Sequence, residues 1–387
     1  MKVILFEDEK VRNFYPITRL RTTGDIRTGR WTQIERASLQ LKSEVLKYSP
    51  REYYGDKFKV EDDMLFLNAR LKDFSSFVDL EANACVVNED GDILGYRGNK
   101  IIEGKNFDGF NVLSEEIPLY NYIWDVIADL SERLSSDLSG DSSLGQILSP
   151  ISNSVHIENK DNVYIGNGVK LGAGVVLEAG SAPIWIDDDT VIESHCCIIG
   201  PAYIGKKSKV KPCSLLDIVA IGDVVKISGE IEETIFQGYS NKQHLGFLGH
   251  AFVGEWVNLG AGTTNSDLKN NYSKVSVILE GESYETGMQF LGTIIGDHTK
   301  AAINTTFNTG TIVEPFCNIF GRGYPPKYVP PFSWCGDKIE EYKFDKAIET
   351  AAKVMKRRNI DLDENYRKKI EQLFAESKQI REKIKKY

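Results

Sequence analysis

The stretch "VYIGNGVKLGAGVVLEAG", residues 163–180, decides the fold. Its apolar residues Val163, Val169 and Val175 stand six apart, with glycines and small residues between them. A helix repeats every 3.6 residues or so and a strand about every 2, so neither explains that step. A chain that bends every six residues and stacks short strands does, and such hexapeptide β-helix repeats need residues tolerant of positive φ at the bends. The step returns in Ile235, Asn241, Phe247, Val253 and Leu259, and again in Ile295, Ala301, Phe307, Val313 and Ile319. A β-sandwich has no reason to keep this phase three times, so the middle of the chain is predicted to be a parallel β-helix. "SAPIWIDDD" (181–189) and "DLKNNYSKVSVILEGESYETG" (267–287) read as loops thrown out of the coil. In solenoids such insertions gather on one face and serve ligands or neighbouring subunits.

Working outward, residues 1–125 form a small α/β unit, with "MKVILF" and "DMLFLNARL" as strands and "ACVVNEDGDILGYR" as a hairpin around Asp90-Gly91. Residues 126–150, with the serine-rich "SERLSSDLSGDSSLGQ", read as a linker, and 151–335 as the solenoid. Residues 336–387 turn helical: Phe344, Ala347, Ile348, Ala351, Val354 and Met355 share one face, and Tyr366, Ile370, Leu373, Phe374 and Ile380 another. Asp361 and Glu364 have the spacing of a capping box for the second helix.

The six cysteines show no CxxC pair or other metal spacing, and "MKVILFEDEK" has too short an apolar run for a signal peptide, so a reducing cytoplasm is the expected compartment. No segment approaches the roughly 18 apolar residues of a membrane span. The net charge of −9 opposes a polyphosphate backbone, which argues against nucleic acid as a partner.

His244, in "HLGFLG", and Asn258, in "VNLGAGT", fall in nearby parts of the coil wall. A histidine titrating near neutrality is suited to take a proton from an amine nucleophile; the plainer alternative is a solvated polar residue. "SNKQHLGFLGHAFVGEWVNLGAGTTNSDLKNNY" (240–272) resembles the acyltransfer region of the bacterial bifunctional UDP-N-acetylglucosamine pyrophosphorylase and glucosamine-1-phosphate N-acetyltransferase family. "YPITRLRTTGDIRTG" (15–29), "NTTFNTGTIV" (304–313) and "FGRGYPPKYVPPFSWCGD" (320–337) extend the likeness to a variant branch with a shortened nucleotidyltransferase-like N-terminal domain.

That resemblance implies a degenerate nucleotidyltransferase-like α/β domain, then a left-handed parallel β-helix, then C-terminal α-helices, assembled as a homotrimer. It implies acetyl transfer from acetyl-CoA to an amino-sugar 1-phosphate, with His244 as catalytic base and Lys211, Phe247 and Asn258 at the substrate. Phe247 stands where the family has a tyrosine, and Glu232 where it has a lysine. Acetyl-CoA is expected at Ala261, Gly262, Thr263 and Lys300, with Arg322 and Lys327 as further cations for its phosphates. Arg19, Arg21 and Arg27 are the candidates for nucleotide phosphates, with Mg2+ as a possible cofactor, although Asn68, Ala69 and Arg70 stand where the family has a metal carboxylate. Asp125 in "YNYIWDV" is a further candidate oxygen ligand, with a cap on the helix leading out of the domain as the plainer alternative. Two other readings stay open: a non-catalytic sugar-nucleotide-binding or scaffold protein of the same fold, and an enzyme active only in its N-terminal half.

Overall fold

The computed structural model describes residues 2–102 and 104–384. The chain divides into two compact units, Met1–Phe14 with Leu20–Ile26 and Trp31–Asp125, and Tyr15–Arg19 with Arg27–Arg30 and Val126–Tyr387.

The first unit is built on a six-stranded mixed sheet in the order Val45–Tyr48, Lys2–Phe6, Met64–Asn68, Ile93–Gly98, Ala84–Val87, Asn111–Ser114. Its central strands are apolar at consecutive positions because both faces are covered. Val3, Leu5, Leu65 and Leu67 pack on one side with Ala37 of α1 (Gln33–Leu41), while Ile4, Met64, Phe66 and Tyr96 pack on the other. The predicted hairpin is present, with Ala84–Val87 antiparallel to Ile93–Gly98 and Gly91 at φ 75° in the turn.

Next along the chain come α2 (Ile123–Ala128) and α3 (Leu130–Ser139). The serine-rich segment expected as a linker is thus largely helical. Leu130, Leu134 and Leu138 recur every fourth residue and are fully buried, while the serines between them leave the stripe intact.

The rest of the second unit is a parallel β-solenoid, traceable as three strand columns per coil. One column runs through Val176–Glu178, the first half of Glu230–Gly238 and Phe247–Gly249, and the next through the second half of Glu230–Gly238, Phe252–Glu255 and Thr293–Ile295. The third is a ten-stranded sheet passing through Lys209–Val210, Lys226–Ile227, Asn241–Lys242, Asn258–Leu259 and Lys300–Ala301. Here these columns are called the first, second and third walls. The lumen is one continuous apolar cluster that includes Val163, Val169, Val175, Ile295, Ala301, Phe307, Val313 and Ile319, as the six-residue step predicts.

The middle run departs from the expected phase. The residues that reach the lumen are Phe236, Leu248, Val253 and Leu259, while Asn241 and Phe247 are only half-buried on the outside. The corner between the first and second walls takes five residues, Leu248 to Val253, so a strict count of six slips by one there. Lys242, not Asn241, occupies the inward position, in register with Ile227. "SAPIWIDDD" also differs from expectation: Ile184–Ile186 is a buried wall strand paired on both sides. "DLKNNYSKVSVILEGESYETG" does leave the coil, as the antiparallel hairpin Ser276–Leu279 and Glu282–Glu285.

Two helices end the described chain, α4 (Phe344–Lys356) and α5 (Glu364–Ile384). Ala347, Ala351 and Met355 of α4 and Ile370, Leu373 and Ile380 of α5 are buried. Asp363, not Asp361, begins the second helix, its carboxylate accepting from Tyr366 N at 2.7 Å; Asp361 instead pairs with Lys356. Of the basic C-terminal run, Arg381 donates to Pro331 O at 3.0 Å, and residues 385–387 lie outside the described residues.

Candidate active site

His244 lies at the corner where the third wall passes into the first, between Asn241–Lys242 and Phe247–Gly249. Its side chain is exposed, and Leu245 beside it is 74% exposed. The backbone of this corner is tied from within. The Lys242 ammonium, 1% exposed, donates to Ser228 O at 3.0 Å, His244 O at 3.1 Å and Gly246 O at 2.7 Å. Burial pulls its pKa down to about 8. Gly246 sits at φ 130°, and a Cβ there would meet Thr263 O at 2.1 Å, so the corner closes only with glycine.

The third wall carries the polar ladder of the site. Residue by residue, Lys209 registers with Lys226, Lys226 with Asn241, Asn241 with Asn258, and Asn258 with Lys300. Alternation along a strand turns these side chains outward while Ile227, Lys242, Leu259 and Ala301 fill the lumen. Residues after α4 face this ladder, and Arg358 donates to Asn241 Oδ1 at 3.2 Å. The cavity between them is about 230 Å³ and includes Gln243, the residue before His244. Thus Asn258 and Lys300, singled out from the sequence, share one cavity at the foot of the His244 corner. Lys300 donates to His298 O at 2.8 Å, and burial draws its pKa down to about 8.

The first wall has the opposite charge. Glu178, Ile199, Asp217, Glu232 and Gly249 register in sequence along it. Burial, then carboxylate neighbours, raise the pKa of Asp217; for Glu232 burial raises it and the nearby His250 opposes. His250, which the sequence analysis passed over, is buried here with Nδ1 2.9 Å from Asp267 Oδ2 and Nε2 3.3 Å from Glu233 Oε2. Burial disfavours its charge, but the hydrogen bonds to Asp267 and Glu233 more than offset this and raise its pKa to about 9. Glu232, at the family's lysine position, therefore belongs to an acidic surface.

The remaining candidates are dispersed. Phe247 lies half-buried on the first wall in register with Glu230, and Lys211 pairs with Glu193 at 2.7 Å. Gly262 N donates to Leu245 O and Thr263 N to Gly260 O, so these two amides are engaged in the coil, and Ala261 O accepts from Asn304 N. Arg322 is exposed, and Lys327 lies with Nζ 3.5 Å from Ser276 O.

Among the arginines, Arg19 is buried against Glu314, with Nη2–Oε1 2.9 Å, and Glu280 at 2.7 Å. Burial lowers its pKa, yet the Glu314 carboxylate holds it well above the usual value. Arg27 is buried near the Tyr203 ring, 5.3 Å from its centroid, with its backbone N donating to Gln237 Oε1. Arg21 is buried in the first unit, where its carbonyl accepts from Arg51.

Magnesium does not fit the residues where the family holds it. Arg70, 1% exposed, fills that place, donating from Nη2 to Asp8 at 2.6 Å and to Asp92 at 2.8 Å. Lys10 also binds Asp92, so both carboxylates already have cationic partners. Asp125 accepts from Asn121 N and Tyr122 N, which is a cap. Among the described residues there is no group of three or more His, Cys, Asp or Glu placed to hold a metal ion, and no helix is long and apolar enough to cross a membrane.

Residues 3–141 match the sugar nucleotidyl transferase family. The chain is 31% identical over 170 residues to the bifunctional sugar-1-phosphate nucleotidylyltransferase/acetyltransferase of Sulfurisphaera tokodaii, covering 44% of this chain and 40% of that protein. It is 30% identical over 166 residues to the bifunctional protein GlmU of Wigglesworthia glossinidia brevipalpis, covering 41% of this chain and 32% of the relative. The chain thus spans less than half the length of these curated relatives. The Arabidopsis UDP-N-acetylglucosamine acyltransferase structure covers 54% of the chain at 13% identity and a TM-score of 0.24. The chain is therefore similar to bifunctional sugar-1-phosphate nucleotidylyltransferase/acetyltransferases, and its residues 3–141 match the sugar nucleotidyl transferase family.

Proposed function

We propose that the protein transfers an acetyl group from acetyl-CoA to the amine of an amino-sugar 1-phosphate such as glucosamine 1-phosphate, within a sugar-nucleotide pathway of the cytoplasm. The observation that carries this reading is the shared third-wall cavity of Asn258 and Lys300, whose lining extends to Gln243, the residue before His244. His244 takes the proton from the sugar ammonium, and the freed amine attacks the thioester carbonyl carbon. The C–N bond forms as the C–S bond breaks, and coenzyme A leaves as the thiolate and takes up a proton. General-base assistance of this kind contributes roughly 10² to 10⁴ in rate.

The corner suits a site completed by a second copy of the chain. Leu245 is 74% exposed and Ile303, further along the same edge, 70% exposed, and a homotrimer would cover that apolar edge. Release of free thiol from acetyl-CoA in the presence of glucosamine 1-phosphate tests the activity. Transfer by the wild type, with loss of at least about 10² in rate in His244→Ala, supports it. Equal rates in the two proteins would remove His244 from the mechanism.

A second reading applies to the first unit, and Arg70 favours it. With Asp8 and Asp92 already neutralised by Arg70 and Lys10, the unit binds a sugar nucleotide without magnesium-dependent nucleotidyl transfer. Calorimetry with UDP-N-acetylglucosamine should show binding, and incubation with a sugar 1-phosphate, a nucleoside triphosphate and Mg2+ should release no pyrophosphate. Mg2+-dependent pyrophosphate release lost in Arg21→Ala would instead establish catalysis there.

A further inference from the structure

The third-wall cavity holds more positive charge than its neighbours balance. Lys226 and Lys300 enter it from the wall, and Arg357 and Arg358 from the end of α4. None of the four has a carboxylate within ion-pair distance among the described residues. Arg358 bonds to the neutral Asn241 amide and Lys300 to the His298 carbonyl. Burial, then the charge of Arg358 and its cationic neighbours, draws the Lys226 pKa down, and burial followed by Arg357 does the same to Arg358. Four cations thus line one cavity without a carboxylate partner among the described residues, three of them (Lys226, Lys300 and Arg358) at least partly buried. The first wall, lined by Glu178, Asp217 and Glu232, offers an anion no comparable cluster of cations.

We propose that this cavity binds the phosphate of a small phosphorylated molecule, with Arg357 and Arg358 after α4 closing on it from one side and Lys226 and Lys300 from the other. A planar guanidinium offers phosphate two parallel hydrogen bonds, and the Asn241 and Asn258 amides add neutral partners for hydroxyls on the attached group. At about 230 Å³ the cavity is smaller than the roughly 300–1,000 Å³ that enclose a drug-sized ligand. It accommodates a phosphate and the ring attached to it rather than a whole coenzyme. This deepens the transferase reading, on which the identity of the phosphorylated molecule rests, by making the C-terminal helical segment part of the substrate site.

Calorimetric titration of the full chain with inorganic phosphate, glucosamine 1-phosphate and adenosine 3′,5′-bisphosphate tests the proposal. Wild type is expected to bind phosphate, and Arg358→Ala and Lys226→Ala each to weaken it by about tenfold or more, the loss of one charged hydrogen bond. Lys226→Ala alters only a half-exposed wall residue, so it reports on the site even if Arg358→Ala loosens the helix. Tighter binding of the sugar phosphate than of the bisphosphate assigns the cavity to the acceptor, and the reverse order assigns it to coenzyme A. Unchanged affinity in both variants, or no binding of any of the three anions to wild type, overturns the proposal. Acetyl transfer that depends on His244 with phosphate binding indifferent to Lys226 would sink this proposal alone. Lys226-dependent phosphate binding without acetyl transfer would sink the activity alone.

Discussion

Replacing Lys242 by methionine should change how the stability of the solenoid depends on pH. The lysine side chain is 1% exposed, its ammonium is held by three carbonyls and, among the described residues, by no carboxylate, and its pKa falls from 10.5 to about 8 on folding. The unfolded chain therefore binds this proton more tightly than the folded one between pH 8 and 10.5, and in that window stability from this site rises with pH. A shift of about 2.5 units corresponds to about 3 kcal/mol at about 1.4 kcal/mol per unit. Nearly all of it should appear between pH 7 and 10.5. Methionine keeps the length and volume but has nothing to titrate. Urea unfolding of wild type and Lys242→Met across that range should show the stability of the variant, relative to wild type, falling by about 3 kcal/mol as pH rises. Comparing the pair cancels the other groups that titrate there, Lys300 among them. Curves that stay parallel within about 0.5 kcal/mol would refute the buried-charge description of the His244 corner.

Three further outcomes follow from the geometry. His250 has its pKa raised from 6.5 to about 9, so its stabilisation is complete below 6.5 and lost as pH rises through about 9; an NMR titration of the imidazole should show that value falling towards 6.5 in Asp267→Asn. Arg19→Ala leaves the fully buried Glu314 carboxylate without its cation and should cost about 3–5 kcal/mol in denaturant unfolding, whereas an effect below about 1 kcal/mol would place the pair in water. Gly246→Ala puts a Cβ 2.1 Å from Thr263 O at φ 130° and should cost about 2 kcal/mol or more in the same measurement.

The coil was legible in the sequence because neither a helix nor an ordinary strand repeats its apolar residues every six positions. Its phase was legible only where every corner takes six residues. The five-residue corner from Leu248 to Val253 shifted the inward positions by one, and Lys242 hid in the lumen because a strict hydrophobic count passes over a lysine. The hairpin at Asp90-Gly91 was visible through turn chemistry, whereas α3 was masked by serines that obscure its leucines at 130, 134 and 138. For the site, Asn258 and Lys300 share a cavity because register stacks residues 42 positions apart in the chain. Arg357 and Arg358 carried no comparable local signal, since only the fold brings the end of α4 against residues more than a hundred positions earlier. Arg70 was visible as a departure from a metal pattern, but its role as the buried cation between Asp8 and Asp92 needed the sheet that assembles them.

The most direct test of the proposed acetyl transfer is a crystal structure of the full chain with glucosamine 1-phosphate bound. The account expects the phosphate between Lys226 and Arg358 and the sugar amine within hydrogen-bond reach of the His244 imidazole, roughly 2.6–3.2 Å. A sugar seated elsewhere, or an amine turned away from an imidazole still in open solvent, would contradict it.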